Sequence, residues 1–205
     1  MVKVNYHHGD LRRALLDAAA EAINEDGPSA LSLRALARRA GVSHAAPTHH
    51  FGDKAGLLTA LAVEGYDLLA DELIEEWSAS HSFLEQGVAY VRFALRHRAH
   101  FEVMFRPDHY HAEDPDVIAA RNRAGHALYA GVADRPAPTP PPPGSPGDTQ
   151  PAGIREAGLA AWSIAHGFAT LWVSGAFPDL PGDPDEVARA VLARLAPPGK
   201  SSPSG

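Results

Sequence analysis

Apolar residues recur at helical spacing through most of the chain. Nowhere do Val, Ile or Thr alternate with polar residues as a half-buried strand demands, so the pattern predicts an all-α protein. Leu11, Leu15, Ala18, Ala19, Ala22 and Ile23 share one helical face, with Arg12, Arg13, Asp17 and Glu21 between them, and Gly27-Pro28 ends that helix. Ser32 is placed to cap a short second helix, with Leu33, Leu36, Ala37 and Ala40 inward and Arg34, Arg38 and Arg39 outward, stopping at Gly41. Ser43 then caps a third helix running through His50. Asp53 caps a long fourth that carries Leu57, Leu58, Leu61, Tyr66, Leu69, Leu73 and Trp77.

Further starts are legible because free backbone N–H groups need a capping acceptor. Ser82-Phe83-Leu84-Glu85 fits a capping box, and Asp114-Pro115 and Asp183-Pro184 each set an acceptor before a proline at the first helical position. Helices are therefore expected to begin near 82, 114 and 183. Residues 135–151 hold eight of the eighteen prolines and little apolar mass, which predicts a loop with polyproline-II character; the 197–205 tail reads as disordered in the same way. Between these lies Ala157–Phe177, 21 residues without Asp, Glu, Lys or Arg. His166, three glycines, two serines, Thr170 and the lack of basic flanks argue against a membrane span, and leave a helix covered by protein on two sides. Ala157, Ala161, Ala165 and Ala169 repeat every four residues, which predicts a tight seam with a second subunit, while Leu159, Trp162, His166 and Val173 turn towards the protein's own core.

The composition narrows the picture. With 205 residues, 45% of them apolar, the chain can bury a real core, and the absence of cysteine removes disulfides, thiolate metal sites and a cysteine nucleophile. The first ten residues carry no signal-peptide pattern, so a cytoplasmic protein is expected. The net charge of −7 is unevenly spread: residues 1–54 sum to +1 and the remainder to −8. Five of the twelve histidines (7, 8, 44, 49 and 50) also lie in the first 54, which makes this segment the one with a footprint for an anion.

Residues 32–51, SLRALARRAGVSHAAPTHHF, have the spacing of a helix-turn-helix: Ala37 is small where two helices cross, Gly41 supplies a positive φ at the turn, and Val42 plugs the core beneath. The second helix of such a pair projects polar side chains into a major groove about 12 Å wide. His44, Thr48, His49 and His50 are the projecting candidates. Together with LRRALLDAAAEAINEDG before it and FGDKAGLLTAL after it, the segment resembles the DNA-binding domain of the TetR family of bacterial transcriptional regulators over about residues 9–61. Trp162-Ser163-Ile164-Ala165-His166-Gly167 resembles the Trp-x3-His-Gly signature of the subgroup with a WHG-type regulatory domain, and Phe101–Phe105 is similar to that subgroup too. The resemblance implies that Arg34, Ser43, His44, Ala45, Thr48 and His50 face DNA and that Lys54 meets phosphate. Pro47 and Thr48 depart from the family pattern, which places a bulky aliphatic residue and a tyrosine there. With a helix running from Ser43, Pro47 falls in its interior, so strain is expected and Pro47→Leu is predicted to stabilise the domain.

Another cluster carries ligand chemistry. His97, His100, Glu102, Asp108, His109 and His111 offer imidazole and carboxylate groups, so a metal-dependent helical enzyme built on residues 97–126 is the alternative reading. No HExxH, GxSxG or glycine-rich phosphate loop accompanies them. Phe93, Phe101, Met104, Phe105, Trp162 and His166 are the candidates to line a pocket for a small-molecule effector. The sequence therefore leads to an all-α, non-enzymatic, homodimeric repressor. A helix-turn-helix domain over 1–53 binds operator DNA, and a helical regulatory and dimerisation domain over 54–196 binds an unknown effector. No metal, cofactor or membrane is called for.

Overall fold

The computed structural model describes residues 8–133 and 154–194; the 135–151 loop and the 197–205 tail lie outside the described residues. Every regular element among them is helical: α1 (His8–Ala30), α2 (Leu33–Arg39), α3 (Ala46–Phe51), α4 (Lys54–Ser80), α5 (Phe83–Arg96), α6 (Arg98–Met104), α7 (Pro115–Ala133), α8 (Ile154–Val173) and α9 (Pro184–Ala193), with a 3-10 turn at Pro107–His109. The helices end where local chemistry ends them. Gly27 leaves helical backbone at φ 77°, ψ 164°, Asp114 Oδ1 accepts the Asp116 N–H at 2.9 Å, and Asp183 Oδ1 accepts those of Asp185 and Glu186 at 2.9 and 3.3 Å. The box at Ser82 is half made. Ser82 Oγ accepts the Glu85 N–H at 3.3 Å, but the Glu85 carboxylate turns away to take the Arg189 guanidinium at 2.7 and 2.8 Å.

The chain packs as two compact units, one built from residues up to Leu68 with His97–Arg123, the other from Leu69–Arg96 with the described residues from Ala124 onward. In the first, α1 packs on α2 and α6, and α2 on α3. Leu15, Ala19, Ile23, Leu36, Ala37, Leu57 and Leu61 fill its core. A charged chain runs along one side: Arg13 bonds Asp17 on its own helix and Glu64 on α4 at 2.7 Å, and Glu64 Oε1 lies 3.5 Å from His100 Nε2 on α6. His100 first, then Arg13, hold the Glu64 carboxyl down to about 2 against the upward push of burial.

In the second unit α5 packs against α8 and α9. Val88, Tyr90, Val91, Phe93 and Ala94 meet the Ala165, Phe168 and Ala169 side of α8 and the Ala188 and Leu192 side of α9 in one buried core. Arg92 Nε to Asp185 at 2.7 Å and the Arg189–Glu85 pair tie α5 to α9 at the rim. This overturns the expected seam at Ala165 and Ala169; the Ala157 side chain lies outside the described residues. Ala165 and Ala169 are 4% and 0% exposed within the single chain, whereas Leu159, assigned to the core by the pattern, is 49% exposed. The small residues of α8 admit its own α5 closely, and the larger Leu159 and Leu171 point outward. A pattern with apolar residues on all sides does not say which side the chain itself covers.

Candidate nucleic-acid interface

The turn between α2 and α3 is built by backbone bonds that one residue makes possible. Ser32 Oγ accepts the Ala35 N–H at 3.2 Å and starts α2; at its end Val42 N–H reaches back to the Ala37 carbonyl at 3.0 Å and Gly41 N–H to that of Arg38 at 3.3 Å. This paired closure requires the residue after the cap to sit in the left-handed region, and Gly41 does so at φ 67°. Ala37 is fully buried at the crossing, as its size predicts.

The third helix differs from expectation. It begins at Ala46, not Ser43, and has no side-chain cap; the Ala46 N–H instead closes a turn onto the Ser43 carbonyl at 3.0 Å. Pro47 thereby becomes the second helical residue, where the N–H it lacks would have had no intrahelical partner, and its ring is buried in the core of the head. The expectation of strain came from counting the helix from the wrong residue.

Helix α3 is then fixed at its far end. Gly52 turns the chain at φ 77°, Asp53 Oδ1 accepts the Gly56 N–H at 2.8 Å, and α4 begins. Gly56 was missed by the sequence reading. A Cβ there would stand 2.0 Å from the Phe51 carbonyl oxygen, so α4 can start against the end of α3 only because that atom is absent. A glycine in the first turn of an otherwise regular helix was the available signal.

Around this frame the candidate residues fall as follows. Arg34, Ser43, His44, Ala45, Thr48 and His49 are exposed, and His50 and Lys54 are half-buried. The His49 and His50 rings meet edge to face at 5.5 Å between centroids, and the Arg12 guanidinium lies 5.2 Å from the centre of the Phe51 ring. Lys54 Nζ donates to the Ser29 carbonyl at 2.8 Å, which pins the start of α4 to the end of α1. Of the three α2 arginines, Arg39 is tied to α1 at the surface: it bonds both Glu25 oxygens at 2.6 Å and holds that carboxyl below its usual range. Arg34 and Arg38 are exposed and carry no ion pair among the described residues. The result is an outward surface with two unneutralised guanidiniums beside a short helix bearing hydroxyl and imidazole groups. Such a surface can meet phosphate and base edges together.

Residues 83–195 match the family model described as "Tetracyclin repressor-like, C-terminal domain", and residues 15–61 match "Bacterial regulatory proteins, tetR family". The chain belongs to the tetR family. The second model accounts for the helix-turn-helix just described. The HTH-type transcriptional regulator BetI of Escherichia coli O45:K1 is 42% identical over 81 residues, 40% of either chain, so the chain spans two fifths of the length of that curated relative. A solved protein with unknown function from Rhodococcus sp. RHA1 is 34% identical over 94% of this chain and 96% of its own, with a TM-score of 0.71. The TetR family transcriptional regulator PfmR from Thermus thermophilus shares the fold, with a TM-score of 0.60 at 24% identity over 87% of this chain and 94% of that one.

The effector candidates divide between the units. Phe101 and Met104 are buried in the first, where Phe105 packs on Phe101 and Tyr66, and Tyr66 and Tyr110 both donate their hydroxyls to the Met104 carbonyl at 2.9 Å. In the second unit Phe93 is fully buried, and the two polar members of the tetR-like Trp-x3-His pattern converge on Tyr90. Trp162 Nε1 donates to Tyr90 Oη at 3.1 Å, and Tyr90 Oη lies 2.9 Å from His166 Nδ1. A hydroxyl that accepts from indole is set to donate its own proton to His166, and burial lowers the pKa of that imidazole, so both features keep it neutral. Tyr90 was not singled out in the sequence, since a tyrosine at a core position in α5 looks like any other buried aromatic.

The rival metal reading finds no ligand set. His97 packs edge-on against His100, His109 Nε2 lies 3.5 Å from Asp108, and His111 Nε2 lies 3.9 Å from Asp53. Among the described residues no group of three or more His, Asp or Glu side chains could hold a metal ion. No helix among them is long and apolar enough to cross a membrane.

Proposed function

We propose that the protein is a non-enzymatic cytoplasmic repressor that binds its operator as a homodimer and is released by a small-molecule effector. The observation that carries the reading is the exposed α2–α3 surface. Among the described residues Arg34 and Arg38 stand without counter-charges while Arg39, one position on, is locked to Glu25. A charge left unpaired on a surface that neutralises its neighbour is one available to phosphate. In this reading residues 1–53 form the head, with Arg34, Ser43, His44, Ala45, Thr48, His49 and His50 towards the groove and Lys54 towards the backbone, and residues 54–196 regulate it.

A dimer is needed to hold two recognition helices about 34 Å apart, in successive major grooves. The support for one is the outward side of α8 and α9. Leu159, Leu171 and Val191 are 49%, 47% and 39% exposed, and a Cβ on Gly167 would meet nothing within 4 Å among the described residues. A small residue with open space beside it, on an apolar outward face, suits close approach by a second copy. In this reading the effector binds beside Trp162 and His166; what supports it is that their polar atoms meet over Tyr90, with Phe93 in the same unit. A compound that binds better when the heads are spaced wrongly for DNA lowers operator affinity by linkage.

DNA selected by the purified protein from a random pool tests this. A two-fold symmetric site is expected, bound with a steep salt dependence that Lys54→Ala flattens by about one unit. Recovery of no preferred sequence would refute it.

A further inference from the structure

We propose that His44, His49 and His50 make operator binding tighten as the pH falls through the physiological range, so that this head senses protons as well as sequence. The inference rests on the assignment of α3 to the groove. From Ala40 to Gly52 the chain reads AGVSHAAPTHHFG and contains no Asp, Glu, Lys or Arg. The recognition segment therefore owes its entire charge to three imidazoles. They stand where DNA would meet them, His44 and His49 exposed, His50 half-buried with its ring 5.5 Å from that of His49.

The charged groups on the bordering elements favour the same conclusion. On α1, Arg12 lies against Phe51; on α2, Arg34 and Arg38 carry no ion pair among the described residues and Arg39 is neutralised by Glu25 and Glu21. At the start of α4, Asp53 Oδ1 accepts the Gly56 N–H, with His111 Nε2 3.9 Å from the same oxygen, and Lys54 donates to the Ser29 carbonyl. Bound DNA favours imidazolium, because a phosphate within a few ångströms stabilises the charged ring. Protons are thus taken up on binding, and each one makes affinity rise about tenfold per pH unit over the range in which the imidazoles change state, near pH 6.5 for the isolated side chain.

His166 acts in the opposite sense. His166 is kept neutral by burial, so acid weakens the fold around it and cannot imitate a gain in affinity.

The test uses the full chain and a duplex it selects, with the dissociation constant read by fluorescence anisotropy at constant ionic strength at about pH 8 and about pH 6. The expected result is at least a tenfold gain at the lower pH, with the salt slope steeper by about one unit. The triple variant H44Q/H49Q/H50Q, which keeps side-chain hydrogen-bonding groups but cannot charge, is expected to lose the gain, while His126→Gln keeps it. Should the triple variant bind too weakly to measure, the imidazole NMR titrations of the wild-type protein decide the matter: these three pKa values rise on adding duplex. Binding that is flat with pH, or a gain retained by the triple variant, overturns the proposal alone. Absence of DNA binding at every pH overturns the assignment of α3 as well.

Discussion

Pro47 shows how much rests on one residue of register. Counted from Ser43 it sits in a helix interior and costs stability; counted from Ala46, as the structure has it, it occupies a position where no N–H is wanted and its ring fills the core. Pro47→Leu is now expected to lower stability by about 1 kcal/mol, since the unfolded chain regains freedom and a different shape must enter a packed site. A thermal melt that rises would restore a helix counted from Ser43. Gly56→Ala is expected to be more damaging, roughly 2 kcal/mol or more, because the new methyl group meets backbone rather than a movable side chain. Tyr90→Phe removes the hydroxyl shared by Trp162 and His166, with an expected loss of about 1–2 kcal/mol by urea denaturation. Glu64 and His166 both contribute to the pH dependence of stability. The Glu64 pKa is depressed to about 2, so its contribution is complete above the ordinary value of 4.5 and drains away as the pH falls from there towards 2; Glu64→Gln should flatten that part of the acid transition. The lowered pKa of His166 means that the unfolded chain binds the proton more readily, so stability declines as the pH falls below about 6.5.

At the scale of elements, starts were legible and faces were not. Ser32, Asp53, Asp114 and Asp183 announce helices because an unsatisfied N–H needs an acceptor within a few residues, and that chemistry is wholly local. The start of α3 was misplaced because Ser43 offers the right side chain, yet the turn is closed by its carbonyl instead. On α8, Trp162 and His166 turn inward to Tyr90 as expected, while Ala165, Ala169 and Leu159 were misread, for a different reason. Its alanines suit any close partner, and whether that partner is α5 or a second protomer is settled by tertiary packing, which no periodicity records. The candidate DNA-facing residues were legible because the helix-turn-helix fixes their spacing, whereas Tyr90 and Gly56 act through contacts distant or invisible in the pattern. Substitutions on α8 separate the two faces. Leu171→Glu is expected to leave a folded protein whose self-association, read by sedimentation velocity, is weakened at least tenfold, about 1.4 kcal/mol. Ala169→Glu would place a carboxylate in the chain's own core and is expected to unfold the second unit, seen as loss of the cooperative melt. If Leu171→Glu dimerises unchanged, the subunit contact lies elsewhere.

For the whole molecule, the arrangement of charge matters more than its total. A chain of net charge −7 binds a polyanion only if its cations are gathered and left unpaired where the DNA lies, and in the proposed reading the head does this by committing Arg39 to Glu25 while leaving Arg34 and Arg38 exposed. The most direct test of the account is the affinity of wild type and Arg34→Ala for a selected duplex and for a scrambled duplex of equal length, across a salt series. The account predicts a wild-type preference for the selected duplex of at least about a thousandfold, with Arg34→Ala losing roughly tenfold or more of its affinity for that duplex. Equal wild-type affinity for the two duplexes, or an Arg34→Ala variant indistinguishable from wild type on both, would contradict it.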